Sequence, residues 1–583
     1  MKKYITTIIL FLSIFNLQAQ QNWQDKIDSE LWLEVQNSNS LDFFILMKDQ
    51  AKTIDAKFLK TKEEKATYVF NALRTKAEET QGEMLRYLSN QGLEFRSFFI
   101  VNGILVKGNF ALIETLANRD EVAIITGNPK IYNPLPKDDK NILSTERLKS
   151  PTSIEWGISR IRATDLWNLS FTGSGVIIGG QDTGYDWTHP AINGKYNGSA
   201  NNHNYSWHDA IHGQISSDTF NSCGFDSNVP CDDGSHGTHT MGTMVGDDGT
   251  GNQIGVAPAA KWIGCRNMEN GWGTPATYIE CFEWFLAPTD TNNLNPNPSK
   301  APHVIANSWG CPPAEGCNPG NFAAMQIAVE NLKNAGTFIA VSAGNDGWGG
   351  CNTVMNPAAI YEASFSVGAS NFNDTLANFS SRGSVSVDSS MRMKPNVSAP
   401  GVDVRSCVPG GGYANYSGTS MAGPHVAGAV ALLISAAPQL AGNVDSLETI
   451  LEMTADSIYT YRNDTCGGTT QFVFPNNMVG HGRINLWKAL GVVRPDLTAV
   501  AETMFTDISI FPNPVNDNLQ IRSDEINGSC RLSLYNTLGQ ICLQKEVNFV
   551  NNHELDLKQI QAGFYLLEVE SAGKRASFKV VKH

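Results

Sequence analysis

Short apolar segments that end in glycine-rich turns are the feature of this sequence that most restricts its fold. From about residue 155 they read "GVIIGGQDTG", "AKWIGCRNM", "HVIANSWG", "TFIAVSAGND" and "ASFSVGAS", with helical patterns between them. Such strands are apolar on both sides, so they need cover on both faces. The pattern therefore predicts an α/β fold, a parallel sheet with helices on both faces, in which functional groups gather at the carboxyl ends of the strands.

Two regions of different character flank this sheet region, which we place at residues 150–493. Residues 20–149 are more charged and predict a compact α+β unit, with an exposed polar linker after about residue 132. Its expected elements are a strand at 41–47, a helix from about 62 to 88, two strands within 93–108, a helix at 110–118 and a strand at 121–127. Residues 506–583 alternate apolar and polar residues between turns, which predicts a small antiparallel β-sandwich.

Residues 1–19 have the character of a secretory signal peptide. Lys2 and Lys3 precede an apolar stretch from Ile5 to Leu17, which is too short for a mature membrane anchor. No later apolar run reaches the roughly 18 residues of a transmembrane helix. We therefore expect a soluble mature protein outside the cytoplasm, with no transmembrane segment. The formal charge of −14 argues against nucleic acid and anionic lipid as partners.

The 11 cysteines all lie between residues 223 and 542. In an oxidising compartment this number predicts disulfides, and the odd count leaves at least one thiol without a partner in the chain. Cys223 and Cys231 are expected to close a loop. Zinc is the alternative ligand of the cysteines, but no CxxC pair occurs in the sequence.

Three segments present a polar residue where a strand or loop gives way to a turn or helix. Asp182 ends a strand in "GVIIGGQDTGYDWTHP", His236 begins a helix in "DGSHGTHTMGTMVG", and Ser420 opens the helix of "GTSMAGPHVAG". A serine is a weak nucleophile unless a histidine takes its proton and a carboxylate orients that histidine. We therefore predict that these three side chains meet. A simpler interpretation stays open for each residue: Asp182 caps a turn, His236 has a structural role, and Ser420 caps a helix.

A fourth residue, Asn345 in "TFIAVSAGNDG", follows a strand and carries a side-chain amide. With the backbone N–H of Ser420 it is expected to stabilise the negative charge that acyl transfer places on a carbonyl oxygen. A turn residue with unusual backbone angles is the alternative for Asn345. For His239 and His425, which lie inside the same motifs, we predict structural roles.

The motifs "DTG", "HGTH", "AGN" and "GTSMAGPH", in this order, resemble the subtilisin-like serine peptidases, or subtilases. The resemblance covers about residues 155–490 and includes "GVAPAA" at 255–260. It implies that Asp182 orients the imidazole, His236 acts as base and then acid, Ser420 forms the acyl-enzyme and Asn345 binds the oxyanion. Substrate is expected to pair in β fashion along two segments: Ser308, Trp309, Gly310 and Ser342, Ala343, Gly344. Met355 is expected to close the pocket for the residue before the scissile bond and to favour apolar side chains there.

The resemblance implies no cofactor for the chemistry, and no metal site is predicted. Many subtilases carry a calcium-binding aspartate nine residues after the catalytic one, where this chain has Ala191. Asp247 and Asp248 in a glycine-rich loop leave a structural calcium site open. The long segment between Asp182 and His236 carries several histidines and aspartates, and we expect it to be a hydrated surface insertion and not a metal site.

The flanking regions carry weaker resemblances. Within residues 20–149, the unit at roughly 40–132 resembles the subtilase propeptide, which assists folding and then blocks the active site as an intramolecular inhibitor. Cleavage is expected between about Tyr132 and Ile154, and an unrelated interaction domain is the alternative for this unit. The last domain is similar to the C-terminal sorting domains of type IX secretion cargo from Bacteroidota, on "FPNP", "LYNTLGQ" and "GFYLLEV". Together they imply a zymogen secreted by a Gram-negative bacterium through a dedicated machinery, which acts on proteins or peptides outside the cell or at its surface. An inactive binding scaffold and an esterase with the same triad are the alternatives.

Overall fold

The computed structural model describes residues 22–36, 38–134, 153–217, 220–461, 464–498, 503–504, 507–536, 540–572 and 574–583. The expected signal peptide at 1–19 and most of the linker lie outside the described residues. The chain divides into two compact units, Met1–Val493 and Arg494–His583.

The first part of the larger unit is the expected α+β fold. Its four-stranded antiparallel sheet has the order β2-β3-β1-β4. The long helix α2 begins with a capping box, in which Thr61 and Glu64 exchange side-chain to backbone hydrogen bonds. All the elements expected between residues 41 and 127 are confirmed, and a short strand, β5, follows them. Their bounds are α1 Ser29–Val35, β1 Leu41–Met47, α2 Lys62–Asn90, β2 Phe95–Phe98, β3 Gly103–Gly108, α3 Phe110–Ala117, β4 Val122–Gly127 and β5 Ile131–Tyr132.

The predicted parallel sheet follows and contains seven strands. They are β6 Ile177–Asp182, β7 Trp207–Asp209, β8 Lys261–Arg266, β10 Val304–Asn307, β11 Phe338–Ser342, β12 Phe365–Ser370 and β13 Val397–Pro400, in the order β13-β12-β11-β10-β6-β8-β7. All neighbours pair in parallel. Because β6 and β10 lie side by side at the centre of the sheet, residues at their carboxyl ends share one edge.

Helices cover both faces of this sheet. Two buried cores result, one that includes helix α10 and one that includes helix α8. The helices of this region are α4 Trp156–Arg160, α5 Ala163–Asn168, α6 Pro190–Asn193, α7 His236–Val245, α8 Pro275–Leu286, α9 Pro319–Asn334, α10 Thr419–Ala436, α11 Val444–Met453 and α12 Leu486–Val493. By length and composition α10 is the one described helix that passes as a membrane span, and nearly all of it is buried inside the fold.

Short strands outside the main sheet complete the unit. They are β9 Trp272–Gly273, which pairs with β5, β14 Val404–Val408 with β15 Gly412–Tyr416, and β16 Thr465–Cys466 with β17 Thr469–Thr470. The predicted disulfide Cys223–Cys231 is confirmed. Three further disulfides join Cys265 to Cys281, Cys311 to Cys317 and Cys351 to Cys466, and Cys407, Cys530 and Cys542 have free thiols.

The second unit is rich in strands, as expected for a β-sandwich tail. After α13 Pro495–Thr498 it contains β18 Thr503–Met504, β19 Ser509–Phe511, β20 Asn518–Tyr535, β21 Ile541–Asp556, β22 Gly563–Ser571 and β23 Lys574–Lys582. The long strand β20 pairs with β19 through its first half and with β22 through its second half, with a register shift between Arg522 and Asn527 in its pairing with β21. Both halves enclose one apolar core.

Candidate active site

Asp182 and His236 form a buried pair. Asp182 is the last residue of β6 and His236 the first of α7, and His236 Nδ1 lies 2.7 Å from Asp182 Oδ1. Their side chains are 2% and 5% exposed, so water hardly competes for this bond. The Thr183 N–H also donates to Asp182 Oδ1, at 2.8 Å, which fixes the carboxylate. A carboxylate in this position holds the imidazole in one tautomer, with Nδ1 protonated and Nε2 free to accept a proton.

A second carboxylate, Asp232, ties together the two elements that carry this pair. Its oxygens accept hydrogen bonds from the hydroxyls of Thr183 (2.7 Å) and Thr238 (2.6 Å). The Thr183 hydroxyl in turn accepts the N–H of Gly237, at 3.1 Å. Asp232 was not predicted from the sequence, although it lies four residues before His236.

Ser420 is the second residue of α10 and lines the same cavity as His236. Its hydroxyl donates to the Ser308 carbonyl, at 3.4 Å, and not to His236. No side chain caps the start of α10, so helix capping does not account for Ser420. The cavity has a volume of about 360 Å³.

Asn345 lies beside the start of α10. Its Oδ1 accepts hydrogen bonds from the backbone N–H (2.9 Å) and the hydroxyl (3.0 Å) of Thr419. With the amide oxygen engaged in this way, the Nδ2 donor is the group available to the cavity, which Asn345 also lines.

The two predicted substrate segments border the cavity with one exception. Ser308, Trp309, Gly310, Ser342 and Gly344 line it, whereas Ala343 belongs to the buried core of the sheet. Met355 is not among the lining residues. Its neighbour Asn356 lines the cavity instead.

The predicted structural histidines have structural partners. His239 Nε2 lies 3.1 Å from the carbonyls of Val404 and Ala414, and the ring stacks on Tyr416. His425 Nδ1 lies 2.8 Å from the Met421 carbonyl. Both side chains are fully buried.

The end of the α+β unit also enters the cavity, where the sequence predicts only the start of an exposed linker. Strand β5 pairs with β9, and the Asn133 N–H donates to the Gly271 carbonyl at 2.8 Å. Asn133 Oδ1 accepts the Gly310 N–H at 2.6 Å, and Pro134 lines the cavity with His236 and Ser420. Strand β9 was not predicted from the sequence, because two residues carry no periodicity.

The sequence pattern of the subtilase family matches residues 173–482, more than half of the chain. The chain belongs to the subtilase family. Among its curated relatives is a subtilisin of Bacillus pumilus, 32% identical over 287 residues, which are 49% of this chain and 86% of that protein. Residues 509–583 match a second family, described as a secretion system C-terminal sorting domain.

Two other relatives are longer than the stretch over which this chain matches them. Bacillopeptidase F of Bacillus subtilis (strain 168) is 35% identical over 552 residues, which are 89% of this chain but only 36% of that protein. Subtilisin E of the same strain is 32% identical over 287 residues, 49% of this chain and 62% of that protein. The chain thus spans about a third of the length of Bacillopeptidase F and about three fifths of the length of subtilisin E.

The α+β unit of this subtilase contacts the sheet region through acidic side chains of α8. Glu283 accepts the backbone N–H groups of Phe99 (2.6 Å) and Ile100 (2.9 Å). Burial raises the pKa of Glu283 to about 8, although these two hydrogen bonds act in the opposite direction. One turn earlier, Glu280 forms an ion pair with Arg96.

The segment between Asp182 and His236 is mostly exposed or half-buried, as expected for a surface insertion, but His203, His208 and Asp209 are buried and the expectation is wrong for these three. His208 and His212 each lie 2.9 Å from Glu280 Oε1, and Asp209 forms an ion pair with the buried Arg266. Among the residues that the structure describes, no group of three or more His, Cys, Asp or Glu side chains is arranged to hold a metal ion. Ala191, at the position where many subtilases carry a calcium-binding aspartate, is buried. Asp248, in the glycine-rich loop, accepts hydrogen bonds from Thr250, Asn252 and Tyr413.

Proposed function

We propose that this subtilase is a secreted serine endopeptidase, made as a zymogen, which hydrolyses peptide bonds through Asp182, His236 and Ser420. The observation that carries the proposal is the buried 2.7 Å pair of His236 and Asp182, whose imidazole borders the same cavity as Ser420. The Ser420 hydroxyl has to turn from the Ser308 carbonyl toward His236 before it reacts. Catalytic hydrogen bonds of this kind are often long before substrate is bound.

The chemistry follows from these groups. His236 Nε2 takes the proton of Ser420 as its oxygen attacks the substrate carbonyl, and Asp182 stabilises the imidazolium. His236 then returns the proton to the leaving amine, which gives the acyl-enzyme. Water enters in place of the amine, gives its proton to His236, and its oxygen displaces Ser420, which recovers the proton.

Asn345 Nδ2 and the backbone N–H of Ser420 are the proposed donors to the oxyanion. The Asn345 amide oxygen is engaged by Thr419, which directs the Nδ2 donor. Preorganised donors of this kind stabilise the charge that appears only in the transition state. No cofactor takes part in this scheme.

Residues 131–134 support inhibition by the chain's own N-terminal unit. They run along β9 and Gly310, where an extended substrate would pair, and so exclude other peptides. We propose that the peptidase cuts this connection between Tyr132 and Ile154 and is inhibited until the propeptide leaves. The sorting domain supports export by type IX secretion machinery, with a Bacteroidota bacterium as the source.

The test compares the wild type with Ser420→Ala and with a matched control, Ser417→Ala. Ser417 is exposed and lies three residues earlier in the sequence. We expect the wild type and the control to mature, to hydrolyse casein and to lose activity to a fluorophosphonate. Ser420→Ala should neither mature nor hydrolyse casein, with a loss of activity of about 10⁶-fold, as for the same nucleophile in subtilisin. Casein hydrolysis by Ser420→Ala, or turnover of esters without casein cleavage by the wild type, would contradict the proposal.

A further inference from the structure

The cavity contains a slot between two backbone segments, at Gly310 and Gly344. A Cβ atom on Gly310 would lie 3.1 Å from Asn356 Cγ, and a Cβ atom on Gly344 would lie 3.4 Å from Asn356 Nδ2. The amide of Asn356 therefore lies against both walls and closes the slot between them. Because both walls are glycine, a substrate side chain can enter between them.

The closed end of this slot is polar and uncharged. Asn356 is only 9% exposed, and its Oδ1 is enclosed with no hydrogen-bond partner among the described residues. The Ser381 hydroxyl lies 2.8 Å from the Cβ position of Gly344 and is also buried. The carboxylates that line the cavity, Asp346 and Glu315, are more exposed than Asn356.

We propose that Asn356 makes this protein select peptides whose P1 residue, the one before the scissile bond, ends in an uncharged hydrogen-bonding group, with Gln preferred to Met. The inference rests on the proposed function. An amide offers Asn356 both a donor and an acceptor, whereas a Met side chain of similar length leaves a buried polar group unpaired.

Charged P1 side chains fit this slot less well. A Glu carboxylate would lose its water at a closed end whose residues, Gly310, Gly344, Asn356 and Ser381, carry no charge. A Lys ammonium would lose its water at a closed end that holds no carboxylate. The selection therefore differs from the apolar preference that the sequence suggests through Met355.

The experiment uses fluorogenic peptides that are identical except for P1, which is Gln, Met, Leu, Glu or Lys. For the mature wild type we expect kcat/KM to be at least tenfold higher for Gln than for Met. In Asn356→Leu, which keeps the size of the side chain, Met should become the better substrate. The matched control Met355→Leu changes the adjacent residue and should keep the wild-type ratio.

Asn356→Asp provides a second variant of nearly the same shape. A carboxylate at the closed end should raise the Lys-to-Gln ratio of kcat/KM at least tenfold. Equal or faster cleavage of the Met peptide by the wild type, an unchanged Gln-to-Met ratio in Asn356→Leu, or no gain for Lys in Asn356→Asp would overturn the inference. Failure of the proposed function looks different: none of the peptides is cleaved, or Ser420→Ala cleaves them.

Discussion

At the scale of single residues, the protonation of His236 decides how the proposed peptidase responds to pH. Burial lowers the pKa of His236, but the charges of Asp182 and Asp232 and the hydrogen bond to Asp182 outweigh burial, so its pKa lies above the ordinary value of 6.5. Only the neutral imidazole accepts the proton of Ser420. Activity should therefore be lost as the pH falls through this raised pKa, on an acid limb above pH 6.5.

Asp232→Asn tests this explanation, because it removes one of the charges that raise the pKa of His236. We expect the acid limb of kcat/KM against pH to move to lower pH. Asp226→Asn changes an exposed carboxylate that is bonded to His212 and should leave the limb in place. An acid limb in Asp232→Asn that is unchanged, or moved to higher pH, would contradict this account.

A further prediction at the scale of single residues concerns Asn345. Asn345→Leu keeps the size of the side chain but removes the proposed oxyanion donor. We expect kcat to fall about 10²- to 10³-fold, the loss known for the corresponding donor in subtilisin, with KM little changed because the donor acts on the transition state. A change in KM alone would place Asn345 in substrate binding and not in catalysis.

At the scale of elements, the insertion between β7 and α7 supports strand β9, along which the substrate of the proposed peptidase would pair. The buried Glu269, just before β9, accepts the N–H groups of Ile215 (2.6 Å) and Ser216 (2.8 Å) and the Asn221 amide (2.9 Å). In Glu269→Gln an amide nitrogen would replace one of the two accepting oxygens and face either the Asn221 amide or the two backbone N–H groups, so the insertion should hold β9 less firmly. We expect KM for a peptide that spans P4 to P1 to rise about tenfold, the cost of about one charged hydrogen bond, with kcat nearly retained.

Glu362→Gln is the control for this prediction, since Glu362 is exposed and distant in sequence from the insertion. A fall in kcat with KM unchanged in Glu269→Gln would show that Glu269 acts on the reaction centre and not on β9.

Five of the seven strands of the main sheet, β6, β8, β10, β11 and β12, could be predicted from the sequence because each is an apolar run beside a glycine-rich turn, whereas the short strands β7 and β13 could not. The chemically distinctive residues Asp182, His236 and Ser420 follow from their positions at element ends. Three other features could not be predicted from the sequence. Strand β9 has two residues, the path of Asn133 and Pro134 depends on a distant partner strand, and Asn356 reaches the cavity instead of Met355 through backbone direction. Contacts distant in sequence decide all three.

At the scale of the whole molecule, the contact between Glu283 and the α+β unit, the proposed propeptide, predicts how pH would control the proposed activation. The pKa of Glu283 is about 8 in the contact, above the ordinary value of 4.5, because burial disfavours its charge. Glu283 therefore holds a proton while the α+β unit is bound and releases it when the unit separates from α8. Propeptide binding should weaken as the pH rises from 4.5 through about 8, by at most roughly tenfold per pH unit, and then stay constant.

Purified full-length precursor, incubated at different pH values and then assayed for casein hydrolysis at one common pH, measures this effect. We expect activity to appear faster at pH 8 than at pH 6. Glu283→Gln carries a neutral side chain at every pH, so its activation should be slow and nearly independent of pH over this range. Glu78→Gln alters an exposed carboxylate of α2 that pairs with Arg74 and should behave as the wild type. A Glu283→Gln precursor that keeps the full pH dependence would assign the control of activation to another group, such as Glu280 with its partner Arg96.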